Sequence, residues 1–240
     1  MLRMSLGLMA ILAVLSAGLA GAAEKLVFGN QWHPFYKELV SEEPKLMPSD
    51  WRKRITIAPP PDDAFTREEV AAIVALKPLR GQYQAQIDKQ IKDVAHPFID
   101  SLVLNTEQAA ALRAFWEKLL PDVARVTMHF KAKFDRARPR QYSKEIAPSI
   151  APPGHPAYPS GHSTDSHTLA LLLAEAWPEK KTQLLSIATQ IAVNREIGGV
   201  HYRSDTSAGY LLAQQIFALL PESPDAISEI AALKSALAPD

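Results

Sequence analysis

The 240-residue chain has no cysteine. Disulfide scaffolds, thiolate-held zinc, iron–sulfur clusters and thiol nucleophiles are therefore excluded. Charge of one sign is also missing, because 26 Lys and Arg residues face 26 Asp and Glu. Without a global basic field, nucleic acid is not expected as a partner. Beyond the N-terminal segment there is no run of about 20 apolar residues, so no further membrane span is expected. Convincing alternation of β-branched residues is absent, so no strand is expected. What is present is ordinary for a globular protein. The hydrophobic fraction is 47%, and a chain of this length buries roughly 70% of its unfolded surface.

Residues 1–22 read as a secretory signal peptide. Arg3 is the one charge before Glu24, an apolar run covers Leu6 to about Leu15, and Ala20-Gly21-Ala22 has the small-x-small form of a cleavage site. The apolar stretch is short for a span. The mature protein is expected to be exported, into the periplasm if the source is a Gram-negative bacterium and otherwise outside the cell.

Residues 23–65 read as an irregular arm. Pro34, Pro44, Pro48 and Pro59-Pro60-Pro61 interrupt any period, while Trp32, Phe35, Tyr36 and Trp51 could pin the arm to a core. Residues 66–240 carry helical patterning and read as one all-α domain of six to eight helices. Thr66-Arg67-Glu68-Glu69 has the form of a capping box. Pro97 should break the run from 82 to 104. A helix should open at Asn105, restart at Pro121 and reach about Ala137. Residues 139–159 hold six prolines and read as a loop. Helices should resume at about 160–177, 181–197, 204–220 and 224–237.

Three segments carry candidate chemistry. In the first, Lys131 and Arg138 lie seven apart, two turns along one helical face, with Pro139 ending the helix. They could grip an anion. With Lys133 and Arg136 they could equally form a solvated basic face. The second segment, Pro159-Ser160-Gly161-His162, stands where the loop meets a helix. Free N–H groups at a helix start favour an anion, and Gly161 lets the backbone come close. Ser160 could instead be a simple N-cap and His162 a surface residue. In the third, Gly198-Gly199 should end a helix that carries Asn194 and Arg195. His201 then sits on a connection, with Asp205 placed to hold one imidazole nitrogen and leave the other free. Here too, Ser204 or Asp205 could be a cap and Arg195 a surface ion-pair partner.

A metal held by His201, Asp205 and His162 is a weaker reading. It would gather Lys131, Arg138 and Arg195 around a cation. Two like charges at about 4 Å repel by roughly 4 kcal/mol at an effective dielectric of 20. Those residues suit a phosphate-like anion. His167 reads as a surface or supporting residue. His155 and Tyr158 are candidates for contact with a leaving group, and Asp165 reads as a carboxylate favouring the helix start.

Together the segments resemble the signature of the type 2 phosphatidic acid phosphatase superfamily, which includes bacterial class A nonspecific acid phosphatases and vanadium haloperoxidases. Its pattern is Lys-six-Arg-Pro, then Pro-Ser-Gly-His, then Ser-Arg-five-His-three-Asp. The matching residues are Lys131, Arg138 and Pro139; Pro159, Ser160, Gly161 and His162; and Arg195, His201 and Asp205. Asn194 departs from the pattern's serine, and Ala157-Tyr158 differs from the usual class A residues before the proline.

The resemblance implies a helical fold of the acid phosphatase and vanadium haloperoxidase kind and a metal-independent, two-step hydrolysis of phosphomonoesters. His201 would attack phosphorus to form a phosphohistidine, and Asp205 would orient it. His162 would protonate the leaving alcohol, then activate water. Lys131, Arg138, Ser160, Gly161 and Arg195 would hold the phosphate. No cofactor is implied, and vanadate or phosphate is expected to bind as inhibitor or product. The expected partners are small phosphate esters, with no stable membrane span once the signal is removed; a homo-oligomer is compatible. Alternatives are a lipid-phosphate or isoprenoid diphosphate phosphatase, a vanadate-dependent haloperoxidase, and a non-catalytic phosphate-binding protein.

Overall fold

The computed structural model describes residues 26–238. The expected signal peptide lies outside them. In chain order the helices are α1 (Pro34–Ser41), α2 (Trp51–Arg54), α3 (Asp63–Ala75), α4 (Arg80–Lys92) and α5 (His96–Leu102). They continue with α6 (Thr106–Phe134), α7 (Pro139–Tyr142), α8 (Gly161–Ala176), α9 (Lys181–Ile197), α10 (Arg203–Leu219) and α11 (Pro224–Leu237). Among the described residues an isolated bridge between Val27 and Arg136 is the one β pairing. No helix among them is long and apolar enough to cross a membrane.

The fold is built around α8. It packs on α9 and α10, with α6 on a further side. Its sequence fits that central place. Leu169, Leu172 and Leu173 are buried, and so are the small residues Ser163, Thr164, Ser166, Thr168 and Ala170. A helix buried on most sides has little amphipathic contrast. Small side chains let neighbours approach: a Cβ added to Gly209 of α10 would stand 2.7 Å from the Ser160 carbonyl oxygen and from Ser163 Cβ. Gly209 therefore lets the start of α8 touch the second turn of α10. The main core gathers Trp51, Phe98, Phe115, Trp116, Val123, Phe130, Leu169 and Leu212. Each fully buried Leu or Phe contributes about 1.5–3 kcal/mol. A smaller cluster of Ile73, Ile146, Ala157 and Tyr202 lies beside the polar site.

Three local expectations change. First, the arm contains two helices, α1 and α2, because residues 35–41 and 51–54 lie between prolines rather than across them. Second, α3 begins at Asp63, not Thr66. Asp62 directly follows the three prolines and accepts from the Phe65 amide at 2.9 Å, so it supplies the cap. Third, α6 runs unbroken through Pro121 for 29 residues. Leu112, Phe115, Trp116 and Leu119 before the proline and Val123, Val126 and Phe130 after it are all buried. Packing of both halves outweighs the hydrogen bond that proline removes. The Asn105 start holds, as a capping box with Gln108.

Candidate active site

Helix α6 ends at Phe134, earlier than expected, because Asp135 adopts a left-handed conformation (φ 45°). The arm fixes that turn. The Phe28 amide donates to the Asp135 carbonyl at 2.8 Å, and Gly29 N–H and Trp32 Nε1–H donate to its carboxylate. Lys131 and Arg138 are thus not on one helical face. Arg138 is extended ahead of Pro139 (ψ 156°), and the turn, not a helix, brings it back toward Lys131.

Both side chains are buried rather than solvated. Lys131 Nζ donates to the carbonyls of Pro156 (2.8 Å), Ala157 (3.1 Å) and Pro159 (2.5 Å). It clasps the proline-rich loop against α6, and all three of its donors are engaged. Burial, then the Arg138 charge, pulls its pKa well below the ordinary lysine value. Arg138 donates through Nε to the His155 carbonyl (2.9 Å) and through Nη1 to the Val200 carbonyl (2.8 Å). The same Nη1 stands 3.1 Å from His201 Nε2. Burial lowers the Arg138 pKa to about 10.

His201 follows the pair Gly198-Gly199 at the end of α9, where Gly199 takes φ +77°. Its Nδ1 lies 3.0 Å from Asp205 Oδ2, which also accepts from the Tyr202 amide at 3.0 Å. Asp205 occupies the third position of α10, so four residues close one rigid loop. Burial, followed by the charges of Arg138 and Lys131, holds His201 well below the ordinary imidazole range, so the ring is neutral. With Nδ1–H donating to Asp205, the Nε2 lone pair faces the Arg138 guanidinium.

Ser160 caps α8, its hydroxyl accepting from Ser163 N–H at 3.4 Å. Ser160 N–H in turn donates to the Asp205 carbonyl at 3.0 Å, which locks the start of α8 to the start of α10. A Cβ at Gly161 would meet nothing within 4 Å, so open space borders Gly161 at the start of α8. His162 is half-buried, with Nε2 3.2 Å from the Gln90 carbonyl oxygen. Burial and the Arg195 charge lower its pKa to about 3.

Arg195 is 1% exposed. Its Nη2 donates to the Ile87 carbonyl (3.0 Å) and to Gln90 Oε1 (2.9 Å). Its Nε and Nη1 are buried without a hydrogen-bond partner. Burial lowers its pKa to about 10. Asn194 donates to the same Gln90 oxygen at 3.0 Å, so the amide at the pattern's serine position helps hold the residue that orients Arg195.

Several contributors were not legible in the sequence. Arg136, grouped with a solvated basic face, is 4% exposed. It donates to Asp205 Oδ1 (2.7 Å), Glu69 Oε2 (2.8 Å), Ser204 Oγ (2.7 Å) and Thr66 Oγ1 (3.1 Å), and lies 4.0 Å above the Tyr202 ring. Burial lowers its pKa, but Asp205 and Glu69 more than offset that and the net shift is upward. The Arg-x-Arg-Pro spacing was a usable signal for Arg136; nothing in the sequence marked Glu69 or Gln90. His167 is buried, not on the surface: Nδ1 lies 2.8 Å from the Ser163 carbonyl and the ring packs on Tyr210. His155 is buried between Arg138 (3.0 Å) and Tyr36, with ring centroids 4.6 Å apart. Tyr158 donates to the Ala58 carbonyl at 2.7 Å and lines a different cavity.

The arrangement can bind an anion, offer it a neutral imidazole held by a carboxylate, and present a second imidazole at a helix start. Among the described residues no three His, Asp or Glu side chains form a metal-binding group. Comparison with known proteins points the same way as the motifs. The PAP2 superfamily model matches residues 119–226. An acid phosphatase of Zymomonas mobilis is 36% identical over 69 residues, 29% of this chain and 26% of that protein. A non-specific acid phosphatase of Salmonella typhi is 38% identical over 68 residues, 28% and 27% of the two chains. The chain thus spans about a quarter of the length of the curated relatives it matches. Among solved structures, a bacterial vanadium-dependent iodoperoxidase superposes with a TM-score of 0.49 at 14% identity, over 69% of this chain and 52% of the other. The segment 119–226 that the PAP2 superfamily model matches contains Lys131, Arg138, Ser160, Gly161, His162, Arg195, His201 and Asp205.

Proposed function

We propose that this chain is an exported acid phosphatase that hydrolyses phosphomonoesters without a metal, through a phosphohistidine at His201. The observation that carries this reading is the pairing of two buried groups. Arg195 holds two nitrogens, Nε and Nη1, with no hydrogen-bond partner, and neutral His201 has Nδ1 pinned by Asp205. A buried cation with orphan donors is costly unless something accepts from it. A phosphate oxygen does so, and its negative charge relieves the excess of Lys131, Arg138 and Arg195.

In the first step His201 Nε2 exchanges its contact with Arg138 for phosphorus. The N–P bond forms as the P–O bond to the alcohol breaks, and His162 delivers a proton to that oxygen. In the second step water attacks phosphorus, gives its proton to His162, and the N–P bond breaks to leave inorganic phosphate. The Gly161 amide and the guanidinium groups of Arg138 and Arg195 stabilise the transferring group. Ser160 and Lys131 keep the loop and the helix start in place. Phosphoryl transfer depends mainly on such positioning and charge stabilisation.

His162 must carry a proton in the first step, yet its pKa of about 3 leaves it neutral in the free protein. The neighbouring cations cause part of that depression, so an arriving phosphate raises it again. Export follows from residues 1–22, with the arm and the domain from 66 onward forming the mature enzyme. The test is hydrolysis of p-nitrophenyl phosphate by the purified protein with chelator present, followed by rapid acid quench. Phosphate should be trapped on the native protein, and His201→Ala should lose trapping and at least about a thousandfold in kcat. Inhibition by chelator that added metal reverses would overturn the metal-free route. Bromide oxidation with peroxide and vanadate, without ester hydrolysis, would place the chain among the haloperoxidases instead.

A further inference from the structure

The proposed phosphate site is closed on most sides. His201, Asp205, Arg138 and Arg195 are all buried. In the first two turns of α8 only Gly161, His162 and Asp165 remain partly exposed. His162 and Asp165, three apart on one helical face, both line a cavity of about 380 Å³. Its walls include Ile91, Val94, Trp116 and Leu120.

We propose that this cavity is the leaving-group subsite, and that it selects phosphomonoesters whose alcohol has an aromatic or apolar body and a cationic amine reaching Asp165. The inference rests on the phosphatase reading above. In an in-line displacement the leaving oxygen departs opposite the nucleophile. With His201 behind the phosphorus, that oxygen points to His162, and the rest of the alcohol continues into the space His162 borders. Trp116 and Ile91 offer a face to a ring. Asp165 is a carboxyl to which the mechanism assigns no role. Burial raises its pKa to about 7, and Lys131 moderates the rise. The other charged groups around the cavity are Lys92, Asp93, Arg113 and Glu117. Asp93 and Arg113 form an ion pair with each other, while Lys92 and Glu117 are exposed at the rim. Asp165, beside His162 on the cavity wall, is therefore the carboxyl that a ligand amine would meet.

The experiment compares kcat/KM for 4-(aminomethyl)phenyl phosphate and 4-methylphenyl phosphate, two esters of similar shape. The native protein should prefer the amine by about tenfold at pH 8. Ionisation of a carboxyl rises through its pKa, so the preference should shrink as pH falls from 8 to 6. Asp165→Asn should abolish the preference and its pH dependence together. A preference in Asp165→Asn equal to the native one would overturn the proposal. So would a native ratio that stays flat from pH 6 to 8, a measurement that needs no variant. Failure to hydrolyse either ester would instead overturn the phosphatase reading on which the proposal stands.

Discussion

Arg136 and Arg195 are both buried arginines within reach of one histidine-centred site, and they are treated in opposite ways. Arg136, on the Nδ1 side of His201, meets two carboxylates, two hydroxyls and an aromatic face. Its charge is matched by Asp205 and Glu69, and its pKa rises. Arg195, at the end of α9, meets only neutral oxygens, keeps Nε and Nη1 without partners, and has a pKa lowered to about 10. A matched cation is part of the scaffold. An unmatched one is not compensated by the fold alone, and the proposed anion role of Arg195 rests on that.

The comparison can be broken or sharpened in three ways. The largest effect should come from Arg136→Gln. It leaves Glu69 and Asp205 buried without their counter-ion, and should lower unfolding stability by about 3–5 kcal/mol in denaturant titrations. Stability close to native would show that Arg136 is not structural. Next, Arg195→Gln should lose about 2.7–4 kcal/mol of transition-state stabilisation in kcat. Its stability should fall much less than that of Arg136→Gln, and inorganic phosphate should raise the native Tm but not the variant's. Equal Tm gains would remove Arg195 from the anion site. The smallest change is a titration. By NMR, His162 of the free protein should stay neutral down to about pH 3, and its pKa should move upward when phosphate binds. No movement would mean that its depression does not come from the cations around the anion site.

The helices were legible where their signals are local. Asn105 with Gln108 and Gly198-Gly199 each act through a few neighbouring bonds, and each bounds a helix where capping chemistry puts it, while the expected loop 139–159 opens with the short helix α7. The misjudged points were settled from a distance. Pro121 ought to interrupt α6, but buried side chains before and after it keep the helix unbroken. Thr66 had the better capping pattern, yet Asp62 took the cap, freeing Thr66 and Glu69 to face Arg136, 67 or more residues away. Asp165 read as a helix-start carboxylate; the structure adds that it lines a cavity whose other walls come mainly from α4 and α6.

Spacing along the chain was enough to read an all-helical fold and to single out three short patterns of candidate residues. Helical period and the three short patterns depend on spacing along one chain, and spacing is visible in sequence. What those residues face was set by packing between distant helices. Lys131, expected to hold a ligand, is spent on three carbonyls of the loop. Arg195 is left with free donors because Gln90, over a hundred residues earlier, satisfies just part of its fork. Burial, unmatched charge and orphaned hydrogen-bond donors are properties of an environment, and that environment exists only once α4, α6, α8, α9 and α10 have packed together.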